Sequence, residues 1–174
     1  MEDIKPATKT LTTRTAVDDY VAGFNADDFA RFSGYYAEDA VVSKLGITAL
    51  SQLACWCRSL TLTDLLSQLN IPALEDKSLT GYITWLKGMH TMVSEELIPQ
   101  HVEIDESGGL VHVDYHVQFK GLGDFKTDNF NGRLGPVSNG TGPLVQMSLT
   151  YRLNSDGHIA GIEVTHFALL KEAA

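Results

Sequence analysis

Apolar residues recur at helical spacing in the first part of the chain and alternate along the last part. Val17, Tyr20, Val21 and Phe24 predict a helix from Ala16 to Asn25, with Asp18 and Asp19 favourably placed in its first turn. Asn25-Ala26-Asp27-Asp28 reads as a turn with capping capacity, followed by a short helix that carries Phe29, Phe32 and Tyr36 on one face. A β-branched stretch from Ala40 to Lys44 predicts a strand. Trp85, Leu86, Met89 and Val93 form the apolar stripe of a third helix, Gly81 to Leu97, whose Glu95 and Glu96 read as a solvated end. Beyond Pro99 the period becomes two. His101 to Ile104 and Leu110 to Phe119 then pair as a hairpin across Asp105-Glu106-Ser107-Gly108-Gly109. A long loop rich in Gly, Asn and Asp, Lys120 to Pro143, precedes two strands, Leu144 to Leu153 and His158 to Phe167. Helices first and antiparallel strands afterwards predict an α+β fold.

Composition narrows the classes. The 174 residues, 44% hydrophobic and 20% charged, suffice for one domain with a real core. The net charge of −9 argues against a nucleic-acid partner, which needs clustered Lys and Arg. Cys55 and Cys57 are too close in sequence for a strain-free disulfide and too few for structural zinc. Met1 to Thr15 lacks the apolar core of a secretion signal, and no stretch reaches the ~18–20 apolar residues that span a bilayer. The expectation is a cytoplasmic protein with no membrane partner.

Several short motifs then carry a resemblance: Tyr20-Val-Ala-Gly-Phe-Asn25-Ala-Asp-Asp-Phe29, Tyr36-Ala-Glu-Asp-Ala-Val-Val42, Leu79-Thr-Gly81 and Tyr151-Arg-Leu-Asn-Ser-Asp-Gly157-His-Ile159. In these the chain resembles the SnoaL-like, ketosteroid-isomerase-like superfamily, which shares its fold with nuclear transport factor 2. The resemblance implies a single domain over 1–174: a cone-shaped curved antiparallel sheet with three N-terminal helices enclosing an apolar cavity, a cystatin-like α+β barrel. It covers most of the chain except about 46–70 and the long loop. Relatives pass from the first strand to the third helix through a short loop. Here Gly46 to Gln68 spends 23 residues with only two charges, Arg58 and Asp64. Two readings stand open: a translated, unspliced intron, or a helical lid built on Leu60, Leu62, Leu65, Leu66 and Leu69.

Strand alternation assigns the candidate site. On Leu110 to Phe119 the apolar face, Val111, Val113, Tyr115, Val117 and Phe119, must be the interior, which leaves His112, Asp114, His116 and Gln118 outside. On the next strand the same logic puts Val145, Met147, Leu149 and Tyr151 inward, although Gln146, Ser148 and Thr150 are mild enough to leave the register open; on the last, Ile162, Val164 and His166 share a face. The steroid-isomerase pattern carries over only at Tyr20, the position of the oxyanion-hole tyrosine. Its general base falls at Lys44 and its protonated aspartate at Leu149.

The expected catalytic residues are therefore His166, which moves the proton, with Tyr20 and Tyr115 as donors. Tyr151, Lys44, His90, Met147, Leu149, Val117, Phe119 and Trp85 are expected to contact substrate. His90 lies at the border of the third helix's stripe, where a surface or capping role is favoured over substrate contact. The interleaved His112, Asp114 and His116 suit an outer sheet face better than a metal, because strand spacing sets such ligands too far apart. No metal or cofactor is expected. The resemblance implies an isomerase, cyclase or dehydratase of specialised metabolism acting on a hydrophobic oxygenated small molecule, dimeric through the outer sheet face. The rival class is a non-catalytic ligand-binding or interaction protein of the same fold.

Overall fold

The computed structural model describes residues 8–42, 76–91, 93–105, 107–123, 139–142 and 144–171. Lys44, both cysteines, the 46–68 segment with its two readings, and Phe125 and Phe130 of the long loop lie outside the described residues.

Helix α1 (Arg14–Asn25) starts two residues earlier than the apolar pattern predicts, because Thr13 caps it by accepting the Ala16 N–H at 3.1 Å. It buries Val17, Tyr20, Val21 and Phe24 and ends in a turn through Asp27, whose φ is 53°. Asp28 then caps the single-turn helix α2 (Phe29–Ser33), accepting the Arg31 N–H at 3.0 Å. Tyr36, expected on that helix, is instead the first residue of strand β1 (Tyr36–Val41). Helix α3 (Leu79–Met89) is capped by Ser78 and closed at His90, whose backbone N–H bonds to Leu86 O at 2.8 Å.

The expected helix to Leu97 is corrected at this point. Val93 already belongs to strand β2 (Val93–Ile104), which pairs along its length with β3 (Leu110–Gly121). The helical stripe runs on through Val93 by coincidence of spacing. From Val93 onward Val93, Glu95 and Leu97 share one strand face, opposite Gly121, Phe119 and Val117. Twelve residues of ladder outweigh two more helical turns. The hairpin across residues 105–109 is as expected, with a longer first arm.

Strands β4 (Leu144–Leu153) and β5 (Ile159–Lys171) complete one sheet in the order β1-β5-β4-β3-β2. All neighbours are antiparallel except β1, which runs parallel to β5. Of the predicted inward residues of β3 and β4, Val111, Val113, Tyr115, Val117, Val145, Met147, Leu149 and Tyr151 are buried, and Phe119 is partly buried against them. They form one core with the apolar stripes of the three helices. The architecture is the expected α+β cone.

Candidate functional site

Six tyrosines are packed inside the molecule, none more than 4% exposed. Tyr20 from α1 and Tyr36 from β1 share a hydrogen bond of 2.8 Å, and Tyr115 from β3 and Tyr151 from β4 share one of 3.0 Å. The Tyr20 and Tyr151 rings meet edge to face at 5.6 Å, which joins the two pairs. Burial pushes the Tyr20 hydroxyl up to about 12, although its bonds to Tyr36 and Tyr151 pull the other way. Burial likewise raises Tyr36, Tyr82, Tyr115 and Tyr151 well above their ordinary value. These phenols are therefore neutral donors.

A second cluster forms where α1, α3 and β2 meet. Closing α3 turns the His90 imidazole inward between the Phe24 and Phe29 rings, at 5.5 and 6.1 Å, and leaves its side chain only 6% exposed. Its Nδ1 makes a hydrogen bond with the Asp27 carboxylate. Its Nε2 is fully buried, makes no hydrogen bond and lies 3.7 Å from Glu95 Oε2. That separation is too long for a hydrogen bond and short enough for strong charge attraction in a dry setting. Burial by itself would lower the His90 pKa. The Glu95 carboxylate, and then Asp27, outweigh it, so the imidazole titrates above its ordinary 6.5. Glu95 is placed by strand parity: it shares the concave face with Leu97 and stands opposite Phe119. Its side chain is 14% exposed, whereas that of Asp27 is 56% exposed. The three groups thus grade from the concave face to the surface.

Several expected site residues are on the concave side. Val117, Leu149 and Met147 are buried there, and Phe119 packs against the core, next to Glu95 in the ladder. Trp85, on α3, is 7% exposed and stacks on Tyr82 at 6.4 Å. Among the described residues its indole N–H has no partner. A buried donor of that kind suits a ligand oxygen.

His166 is corrected. It is exposed, on the outer face beside Ser148. Strand β5 carries an irregularity opposite the Ser148 to Leu149 step: Val164 pairs with Leu149, His166 with Ser148, and Thr165 is the extra residue. One inserted residue reverses every later side chain, so alternation counted from Ile162 puts His166 on the wrong face. Two further readings change with the α3 boundary. His90 caps α3, as the capping reading has it, but its side chain is buried and not at the surface, and Glu95 is not a solvated helix end. The sequence places Asp27 in the capping turn after α1 and Glu95 at a solvated helix end, and marks neither as a site residue. The available signals were the alternation Val93-x-Glu95-x-Leu97 and an aspartate in the turn after α1.

The outer face is polar, as expected. His112 bonds to Thr150 Oγ1 at 2.8 Å, and Asp114 accepts from Ser148 at 2.6 Å. Among the described residues no three His, Cys, Asp or Glu side chains are arranged to hold a metal ion. No helix among them is long and apolar enough to cross a membrane.

No family model and no curated protein sequence matches the chain. Solved structures do. A candidate polyketide cyclase from Pseudomonas putida KT2440 superposes with a TM-score of 0.55 at 16% identity, over 86% of this chain and 87% of that one. An LEH-like epoxide hydrolase of Mycobacterium tuberculosis gives 0.55 at 12% identity, over 91% and 84%. RV0760c of the same organism, in complex with estradiol-17β-hemisuccinate, gives 0.54 at 11% identity, over 91% and 95%. At such identities the likeness speaks for architecture. In its helices, its sheet order and its buried concave face, this chain has the fold of the SnoaL-like, nuclear transport factor 2-like superfamily.

Proposed function

We propose that the chain is a cofactor-independent acid/base catalyst, an isomerase, cyclase or dehydratase, acting on a hydrophobic oxygenated small molecule held against the concave face. The observation that carries this reading is the Glu95–His90 pair, a carboxylate and an imidazole 3.7 Å apart at a largely dry site. Glu95 takes a proton from carbon beside a carbonyl, and His90, as imidazolium, gives one to oxygen. The neutral phenols of Tyr20, Tyr115 and Tyr151, with the Trp85 N–H, orient the substrate oxygens and bear developing charge. The proton-transfer role expected of His166 passes to His90, because His166 faces outward. Fold neighbours described as polyketide cyclases and as an LEH-like epoxide hydrolase support a reaction of this class. A homodimer through the polar outer face, and a place in specialised metabolism, belong to the same proposal.

One observation favours the rival, non-catalytic reading: the phenols bond to each other and so fill part of the interior themselves. Hydrogen–deuterium exchange at the α-carbon of 2-tetralone, a neutral hydrophobic ketone, separates the two. The wild type is expected to accelerate exchange in D2O above the buffer rate. Glu95→Gln and His90→Ala should each lower that acceleration by about 10²-fold or more. Binding of the ketone by the wild type with no exchange would instead establish a binding protein.

A further inference from the structure

We propose that Asp27 is the positioning residue of this site, fixing the ring orientation and tautomer of His90 so that Nε2 faces Glu95. The inference deepens the Glu95–His90 reading and rests on it for its catalytic consequence. Its evidence is geometric. Asp27 is the one non-glycine residue with positive φ among the described residues, at 53°. Its backbone sits in the turn between α1 and α2, donating to Phe24 O at 3.0 Å and accepting from Phe29 N at 2.9 Å. That left-handed conformation is tolerated by Asp and Asn, and glycine adopts it without strain. If the position served only the turn, glycine would suffice. The aspartate puts its carboxylate on His90 Nδ1, the ring nitrogen opposite the one that lies near Glu95. An imidazole whose Nδ1–H is held by a carboxylate presents Nε2 to its reaction partner and keeps a proton more firmly.

The surroundings of His90 leave the work to two carboxylates. Asp27 faces it from the α1–α2 turn and Glu95 from β2. On α3, Tyr82 is a neutral phenol within electrostatic range of Glu95, and Lys87 lies over the Phe29 ring at 5.2 Å. The neighbouring Asp28 is engaged with the Arg31 N–H at the start of α2. The Phe24 and Phe29 rings exclude water from the imidazole without offering it a strong acceptor. Removing the Asp27 charge therefore changes both the aim and the proton affinity of His90 while its packing stays in place.

Two variants, with Asp27→Glu as the rescue, test this. Asp27→Asn keeps the shape and the turn conformation; Asp27→Gly keeps the turn and removes the side chain. Imidazole nitrogen NMR of the ligand-free protein should show the His90 titration midpoint falling by about half a pH unit or more in both. In 2-tetralone exchange, kcat should fall about 10–100-fold with KM unchanged, and the loss of activity at rising pH should begin earlier. Thermal unfolding of Asp27→Gly should match or exceed that of the wild type, and Asp27→Glu should recover part of kcat. If His90 titrates and exchange proceeds in both variants as in the wild type, Asp27 is a turn residue and the proposal is overturned. If the wild type itself fails to exchange 2-tetralone, the catalytic reading fails, and the His90 titration in Asp27→Asn still decides the positioning role.

Discussion

Asp19 shows how much one side chain on the outside of α1 contributes to the frame behind the site. Its carboxylate accepts from Arg31 at 2.6 Å, Tyr35 at 2.7 Å and Lys9 at 2.8 Å, tying the N-terminal segment, α2 and the start of β1 to the helix. The Arg31 guanidinium, helped by Lys9 and Tyr35, holds it far below the usual carboxylate range. Asp19 is about one-third exposed, so solvent weakens each bond. Asp19→Ala is expected to lower stability by about 1–2 kcal/mol in urea unfolding at pH 7. Because folding depresses this pKa, the contribution is present above the unfolded value near 3.8 and is lost as pH falls below it. The difference between wild type and variant should thus shrink in acid. Chemistry of this kind is hard to read in a sequence. Asp27 and Asp19 look alike there, yet one is a salt-bridge hub and the other reaches a histidine 63 positions away.

At the scale of elements, the site depends on where α3 stops and β2 starts. The sequence made α1, the inward faces of β3 and β4 and the hairpin legible because each keeps one period over its full length. It hid Glu95 because Val93 satisfies both the helical stripe of α3 and the alternation of β2. It misplaced His166 because the extra residue in β5 leaves no mark in the hydrophobic pattern. What fixes β2 against the helices is a side chain: Asn25, the last residue of α1, accepts from Leu97 N at 2.8 Å and donates to Leu97 O at 2.9 Å. Leu97 is two residues from Glu95 on the same strand face, so this clamp sets the carboxylate relative to His90. Asn25→Ala removes both bonds. It should cost about 1–3 kcal/mol in chemical denaturation and should lower the His90 titration midpoint as Glu95 loosens.

For the molecule as a whole, the interior is a hydrophobic core that carries a set of neutral phenols, with one charged relay at its edge. The charge placement has a clear consequence in alkali. Folding raises the pKa of the buried tyrosines, Tyr20 to about 12 and others further. Their stabilising contribution is fully present below the unfolded value of 10.0 and is lost as pH climbs toward the folded values. Ultraviolet titration of phenolate should therefore rise late and steeply, together with the loss of far-ultraviolet circular dichroism. A smooth titration centred near 10 with the fold intact would mean that the phenols are open to water.

The same architecture makes a statement about catalysis at the other end of the pH scale, and one experiment reaches it directly. The rate of 2-tetralone α-proton exchange would be followed for wild type and Glu95→Gln between about pH 5 and 9, the range in which a histidine changes charge. Exchange by the wild type should decline as pH rises through the His90 pKa, which lies above 6.5, because the imidazolium form is the proton donor. Glu95→Gln should stay near the buffer rate throughout. Wild-type exchange that is flat with pH, or equal in Glu95→Gln, would contradict the assignment of Glu95 and His90 as the proton-transferring pair.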